Sequence, residues 1–293
     1  MDFAERWVYK MKAEKLYQTL EKDFILPGLT DDWAGYMQEV EDFLSNNFKQ
    51  RSMGVVCDFA DEINKVYTAV FPTDDVLKKI LDNGTENAML FVHHPSIWDI
   101  TKAPKVIQQM SRELLKQFRK KRISIYNLHV PLDNFGEYST SKTLADALGI
   151  KIEKPIGEYF GALAGVVGKT DCKTADELKS RLEKAVGHEV KLYPYGTGRI
   201  RNQRIAIAVG GGNNVDFLKE VTQNKVNTFI TGISVLNEHS KPAHDYAKQN
   251  KINVLGGTHY STERFACQAM RKYFEKLGLK CEFIPGKPGM EDI

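Results

Sequence analysis

The chain has 293 residues, 42% of them apolar, enough for one large domain or two modest ones. Its 41 basic and 38 acidic residues leave a net charge of +3, which demands neither a nucleic-acid nor a membrane partner. No stretch approaches the roughly 20 apolar residues of a membrane span, and the opening MDFAERWVYK lacks a signal-peptide core. Cys57, Cys172, Cys267 and Cys281 show no CxxC spacing, so free thiols in a reducing cytoplasm are expected.

Residues 5 to 22 carry Trp7, Met11, Leu16, Tyr17 and Leu20 as a rough apolar stripe on a helix. A second helix is expected over about Asp32 to Asn47. The aromatic residues Trp7, Tyr17, Trp33 and Tyr36 on these helices would bury against another subunit or against their own sheet. Val55 to Phe71 contains strand, and Thr73 caps a helix reaching Leu81. Asn83-Gly84 turns the chain into the strand Ala88 to Val92. A helix follows from Ala103 to Lys120, and the basic run Lys116 to Arg122 at its end suits the carbonyl pole of the dipole. Next come the strand Ile123 to Leu128 and the helix Thr140 to Leu148, stopped by Gly149.

Residues 150 to 170 suggest a short hairpin, and Thr174 to Val186 a helix with an acidic first turn. Strands are expected at Val190 to Tyr193, Arg204 to Val209 and Thr228 to Thr231, with helices at Val215 to Val221 and Pro242 to Gln249. The strand Asn253 to Leu255 feeds Gly256-Gly257 and a helix from Ser261 to Leu277, which Gly278 ends. No internal repeat is present. The alternation indicates an α/β, partly parallel architecture with ligands gathered at strand ends.

Three clusters of nitrogen and oxygen ligands follow strands. His93-His94-Pro95 closes one. Two histidines in a regular strand would face opposite ways, but Pro95 ends the strand there; a capping and a core histidine would be the plain alternative. His129 and Asp133 flank Val130-Pro131-Leu132, where the proline forbids an ordinary helix interior. His259 and Glu263 share one face of a helix that Ser261 or Thr262 could cap. Glu263 is also favoured by the helix dipole, whereas His259 beside two glycines has no such account. Together the clusters suggest a metal centre.

HHP after an apolar strand, H-x-x-x-D after the next, and G-x-H-Y-x-T-E over Gly257 to Glu263 resemble the Nif-three-like proteins, also called GTP cyclohydrolase I type 2 homologues. The resemblance covers about residues 50 to 285, and residues 1 to 50 are a less typical helical extension. It implies a single Nif-three-like domain over 1–293 built from two α/β lobes, with mixed sheets flanked by helices. It implies a toroidal homohexamer and a dinuclear metal centre with ligands His93, His94, Asp133, His259 and Glu263, Glu263 bridging. His129 takes a position beside the metals, for proton transfer or support of a ligand. The chain departs from the family at Ile233, where an acidic residue is usual after Thr-Gly; Glu238 or His239 would stand in, and His244 matches a family histidine.

Gly210-Gly211-Gly212 lies between a strand and a helix. It reads as a tight turn or as a phosphate-binding turn with Arg199, Arg201 and Arg204 as counter-charges. These features lead to a metal-dependent hydrolase with His129 moving protons, acting on a nucleotide or phosphorylated small molecule. The alternative is a non-catalytic metal-binding or regulatory hexameric scaffold. Imidazole and carboxylate ligands suit zinc, iron, manganese or nickel.

Overall fold

The computed structural model describes residues 10–99 and 106–293. The first part of the chain runs β1 (Met11–Lys12), α1 (Ala13–Phe24), two 3₁₀ turns (Trp33–Tyr36 and Gln38–Phe43) and α2 (Asn46–Arg51). It continues through β2 (Gly54–Cys57), β3 (Glu62–Ile63), β4 (Lys65–Ala69), α3 (Asp74–Asp82) and β5 (Ala88–Val92). Then come β6 (Ile97–Asp99), β7 (Val106–Gln108), α4 (Arg112–Lys120), β8 (Ile123–Asn127) and α5 (Val130–Asp133).

The second part holds α6 (Thr140–Ala147), β9 (Lys151–Tyr159), β10 (Ala162–Lys169), α7 (Ala175–Val186) and β11 (Lys191–Tyr193). It goes on through β12 (Arg204–Ala208), α8 (Val215–Gln223), β13 (Thr228–Thr231), α9 (Lys241–Gln249) and β14 (Asn253–Gly256). The chain then returns to the first sheet through α10 (His259–Lys276) and β15 (Lys280–Phe283).

The five-stranded sheet has the order β15-β4-β5-β8-β2. Its first four strands are parallel and β2 is antiparallel at the edge. The six-stranded sheet has the order β11-β14-β13-β12-β10-β9. Its central β12, β13 and β14 are parallel, and antiparallel strands flank them. The α/β, mixed-sheet architecture read from the sequence is the one observed.

The central parallel strands of both sheets, among them β5, β8, β13 and β14, are buried on both faces, as parallel strands under helices must be, while the edge strands β9, β11 and β15 are partly exposed. In β5, Ala88, Leu90 and Val92 join one apolar cluster while Met89 and Phe91 join the cluster behind it. In β12, Ile205 and Ile207 divide from Ala206 and Ala208 in the same way. Period-two alternation thus feeds four cores from continuous apolar runs.

Several expected elements differ. The N-terminal helix begins at Ala13, and Trp7 lies outside the described residues. Asp32 to Asn47 is not one helix but two 3₁₀ turns and the start of α2, which Ser45 caps by accepting from the Phe48 N–H. Trp33 and Tyr17 are buried in their own chain, the former bonded to His129, so neither supplies surface for a neighbouring copy.

The helix expected over Ala103 to Lys120 starts only at Arg112, capped by Ser111. Residues 103–105 lie outside the described residues, and Val106–Gln108 pairs with β6. The hairpin within 150 to 170 is long, with strands of 9 and 8 residues. Among the described residues no helix is long and apolar enough to cross a membrane. The four cysteines are free.

Candidate metal centre

Backbone pairing carries β5 slightly past its end. The N–H of His93 donates to the Ala69 carbonyl (3.2 Å) and that of His94 to the Val70 carbonyl (2.9 Å). Because the regular strand stops at Val92, both imidazoles reach one cluster, their ring centroids 4.2 Å apart. His93 Nδ1 lies 3.0 Å from the Leu128 carbonyl, which can only accept, so Nδ1 carries the hydrogen. Its Nε2 therefore turns a lone pair, or a second proton, towards the carboxylates. Phe71 stacks on His94 with ring centroids 4.8 Å apart.

His129 precedes α5. Pro131 sits in the first turn of that short helix, where its missing N–H costs nothing, so His129 and Asp133 come onto one side after all. Asp133 Oδ1 accepts from the Thr140 hydroxyl (2.6 Å) and lies 3.5 Å from His93 Nε2. His129 Nε2 is 3.8 Å from Asp133 Oδ2. Its Nδ1 faces Trp33 Nε1 at 2.9 Å and Asp31 Oδ2 at 3.0 Å.

The helix α10 starts at His259, and its cap is Thr258 rather than Ser261 or Thr262; the Thr258 hydroxyl accepts from the Ser261 N–H. Thr258 has φ 64° and ψ 151°, a conformation open essentially to glycine alone. One turn separates His259 from Glu263, and their side chains meet with His259 Nε2 3.2 Å from Glu263 Oε1. The same oxygen is 3.5 Å from His93 Nε2, and Oε2 is 2.9 Å from His94 Nε2. His94 Nε2 and His259 Nε2 are 3.2 Å apart. Gly210, at φ 57°, makes room: a Cβ there would stand 2.0 Å from Glu263 Oε1. For Gly210 the tight-turn reading holds.

These groups are buried, so their charges are set by one another. Burial alone would lower His93, but Asp133 and Glu263 together raise it to about 9. Burial holds His94 well below the usual histidine range, reinforced by its histidine neighbours. Burial would raise Glu263, yet His259, His94 and His93 outweigh it and hold its carboxyl far below normal. Burial keeps the Asp133 carboxyl raised.

The donor set fits a metal ion. Two ligand atoms about 2.0–2.1 Å from one tetrahedral ion stand about 3.3 Å apart. The 2.9 to 3.2 Å separations among His94, His259 and Glu263 are close to that. His93 Nε2 and His94 Nδ1 are buried without a hydrogen-bond partner among the described residues. Among the described residues two groups of side chains could hold an ion: His94, His259 and Glu263, and His93, His94 and His129.

A cavity of about 220 Å³ adjoins the cluster, lined among others by Trp33, His129, Tyr159, Gly211, Phe217 and His239. His239 reaches it and meets Trp98 edge-on at 4.8 Å, whereas Glu238 is exposed and is not part of the lining. Ile233 is buried. His244 stands apart, accepting from the Tyr195 hydroxyl at Nδ1 (3.0 Å) and donating from Nε2 to the Ser234 carbonyl (2.9 Å). The proposed counter-charges are misplaced: Arg204 opens β12, pairs with Glu153 (2.7 Å), and is a strand length of about 16 Å from the glycine turn. Arg199 and Arg201 precede it, at that same far end of the sheet.

Sequence reasoning missed Asp31, Trp33 and Tyr159 as neighbours of the centre. Nothing in spacing ties Trp33 to a histidine 96 positions away.

A protein family described as Duf34/NIF3 (NGG1p interacting factor 3) matches residues 36–288. The chain belongs to the NIF3 family. A relative from Pyrococcus horikoshii, named GTP cyclohydrolase 1 type 2 homolog, is 30% identical over 241 residues, 81% of this chain and 90% of that protein. One of the same name from Escherichia coli K12 is 28% identical over 238 residues, 79% and 87% of the two chains.

Among solved NIF3-like folds, a structure described as protein ybgI, unknown function, aligns with TM-score 0.71 and 23% identity over 95% of this chain and 100% of that one. Reduced HcgD from Methanocaldococcus jannaschii aligns with TM-score 0.65 and 21% identity over 95% and 100%. At these identities the structures speak for the NIF3 fold.

Proposed function

We propose that this NIF3 protein is a metal-dependent hydrolase, with two divalent ions held by His93, His94, Asp133, His259 and Glu263. The observation that carries the reading is the central position of Glu263. One of its oxygens faces His93 and His259, and the other faces His94. A carboxylate so surrounded suits a bridge between two ions. Such ions, when bound, would supply Lewis acidity towards a substrate oxygen or an electrophilic carbon.

The chain's own residues supply the rest. His129 Nδ1 accepts from the Trp33 indole N–H, with the Asp31 carboxylate alongside, while Nε2 faces Asp133, an orientation that suits it to accept or release a proton. Trp33, Tyr159 and Phe217 give the adjoining cavity apolar walls that hold a substrate and exclude water. A centre bordered by such a cavity differs from a structural site closed by protein ligands. The names of the curated relatives favour a nucleotide or phosphorylated small molecule as substrate.

The test is elemental analysis of protein purified without added metal, followed by a nucleotide and phosphoester screen. Two divalent ions per chain are expected, with turnover lost on chelation and restored by metal. Bound metal with no turnover across the screen would favour a metal-binding scaffold instead, and absence of metal would end both readings.

A further inference from the structure

Asp292 lies outside the ligand set yet touches the backbone that carries it. Its Oδ2 accepts from the His259 N–H at 2.9 Å. That is the first residue of α10, immediately after the strained Thr258. A threonine keeps φ 64° only where its surroundings over-determine the backbone, and the bond from His259 to Asp292 is one such constraint.

The main chain of Asp292 acts on a second segment. Its carbonyl oxygen accepts from the N–H groups of both Ser234 and Val235, at 2.7 Å each. Those residues open the loop after β13 that brings His239 to the cavity wall against Trp98. From its far side the same loop is held by His244 on the Ser234 carbonyl. One aspartate thus fixes the entry to the helix bearing His259 and Glu263, and also the loop that walls the neighbouring cavity.

We infer that Asp292 is a positioning residue for the metal centre, setting the backbone from which His259 reaches its ion. The inference rests on the metal-binding reading above. Groups that orient ligands from outside a centre commonly change metal affinity by about 10–100-fold when removed.

The experiment is a Co²⁺ titration of the metal-free full chain, followed by visible absorption, with circular dichroism to establish folding. Asp292→Ala should weaken Co²⁺ binding about tenfold or more and alter the d–d bands, which a remote loss of stability would leave unchanged. Asp292→Asn keeps an acceptor for the His259 N–H and should recover binding to within about threefold of wild type, with the native spectrum. Glu291→Ala, at an exposed neighbour, should change neither.

Asp292→Ser, whose shorter side chain falls short of that N–H, carries the same expectation as alanine if the alanine variant does not fold. A folded Ala or Ser variant with wild-type affinity and spectrum overturns the role of Asp292. Wild-type protein that binds no Co²⁺ overturns the metal reading itself.

Discussion

Glu263 is the residue on which most of the centre turns, since three histidines lie within 3.5 Å of its oxygens. Glu263→Gln keeps the volume and removes the charge, taking away the carboxylate that His94 and His259 face and leaving His93 with Asp133 alone. Loss of at least one metal ion per chain is expected by elemental analysis, and a variant that keeps two would remove Glu263 from the centre. His129→Ala should retain metal and lower any turnover; loss of both ions there would make His129 a direct ligand. The glycine turn separates two neighbours. Gly210→Ala would force a Cβ to 2.0 Å from Glu263 Oε1 at φ 57° and disturb both folding and metal content. The backbone term alone is about 1–3 kcal/mol. Gly211→Ala meets only the Trp98 ring at 3.6 Å, so melting temperature and metal content should stay near wild type. Equal damage from both substitutions would contradict this account.

At the level of elements, local chemistry made some boundaries legible. Thr73 and Thr174 each accept from the N–H three residues on, as their position before an acidic first turn foretold. Trp33 defeated the same reasoning, because its indole bonds to His129 and the surrounding turns follow that contact rather than helical periodicity. The five ligand candidates were readable as strand-end residues, while Asp31 and Asp292 were not, since each acts through long-range pairing. The helix and strand ends that converge on the centre also give it a pH signature in metal-free protein. His93 is raised from 6.5 to about 9, so its contribution is fully present below about pH 6.5 and is lost as pH rises through about 9. The melting temperature of chelated protein should fall across that window, and saturating metal should remove the slope by taking the proton's place. A rise over the same interval would show that His93 is not held protonated by its carboxylates.

Over the whole molecule, the alternation of strands and helices announced the α/β class. It did not announce that the six-stranded sheet is inserted between strands of the five-stranded one. Which strands pair across such an insertion depends on packing that no local pattern records. The surface offers its own lead. Leu26, Phe135, Phe160 and Leu163 are exposed apolar residues, and the Phe135 N–H bonds to the Leu163 carbonyl. Leu26 and Phe135 also line a second cavity of about 420 Å³. We propose that this face meets another copy in a homohexameric ring. Light scattering should then give a six-chain mass, and Phe160→Asp with Leu163→Asp should reduce it. A wild-type monomer at micromolar concentration would end the ring while leaving the metal reading intact.

The pairing of Lys65–Ala69 with Lys280–Phe283 has a temporal consequence. During synthesis the strand that completes the first sheet leaves the ribosome only after the whole six-stranded sheet, His259 and Glu263 have emerged. His93, His94 and Asp133 appear early and must wait, unshielded by their partners, while the entire second sheet is made. Contacts that distant in sequence are slow to close, and an unfinished sheet edge is open to aggregation in the interval. On the metal reading proposed above, the full ligand set exists only once Glu263 has emerged, so a nascent chain arrested before residue 259 would expose histidines with no centre to occupy.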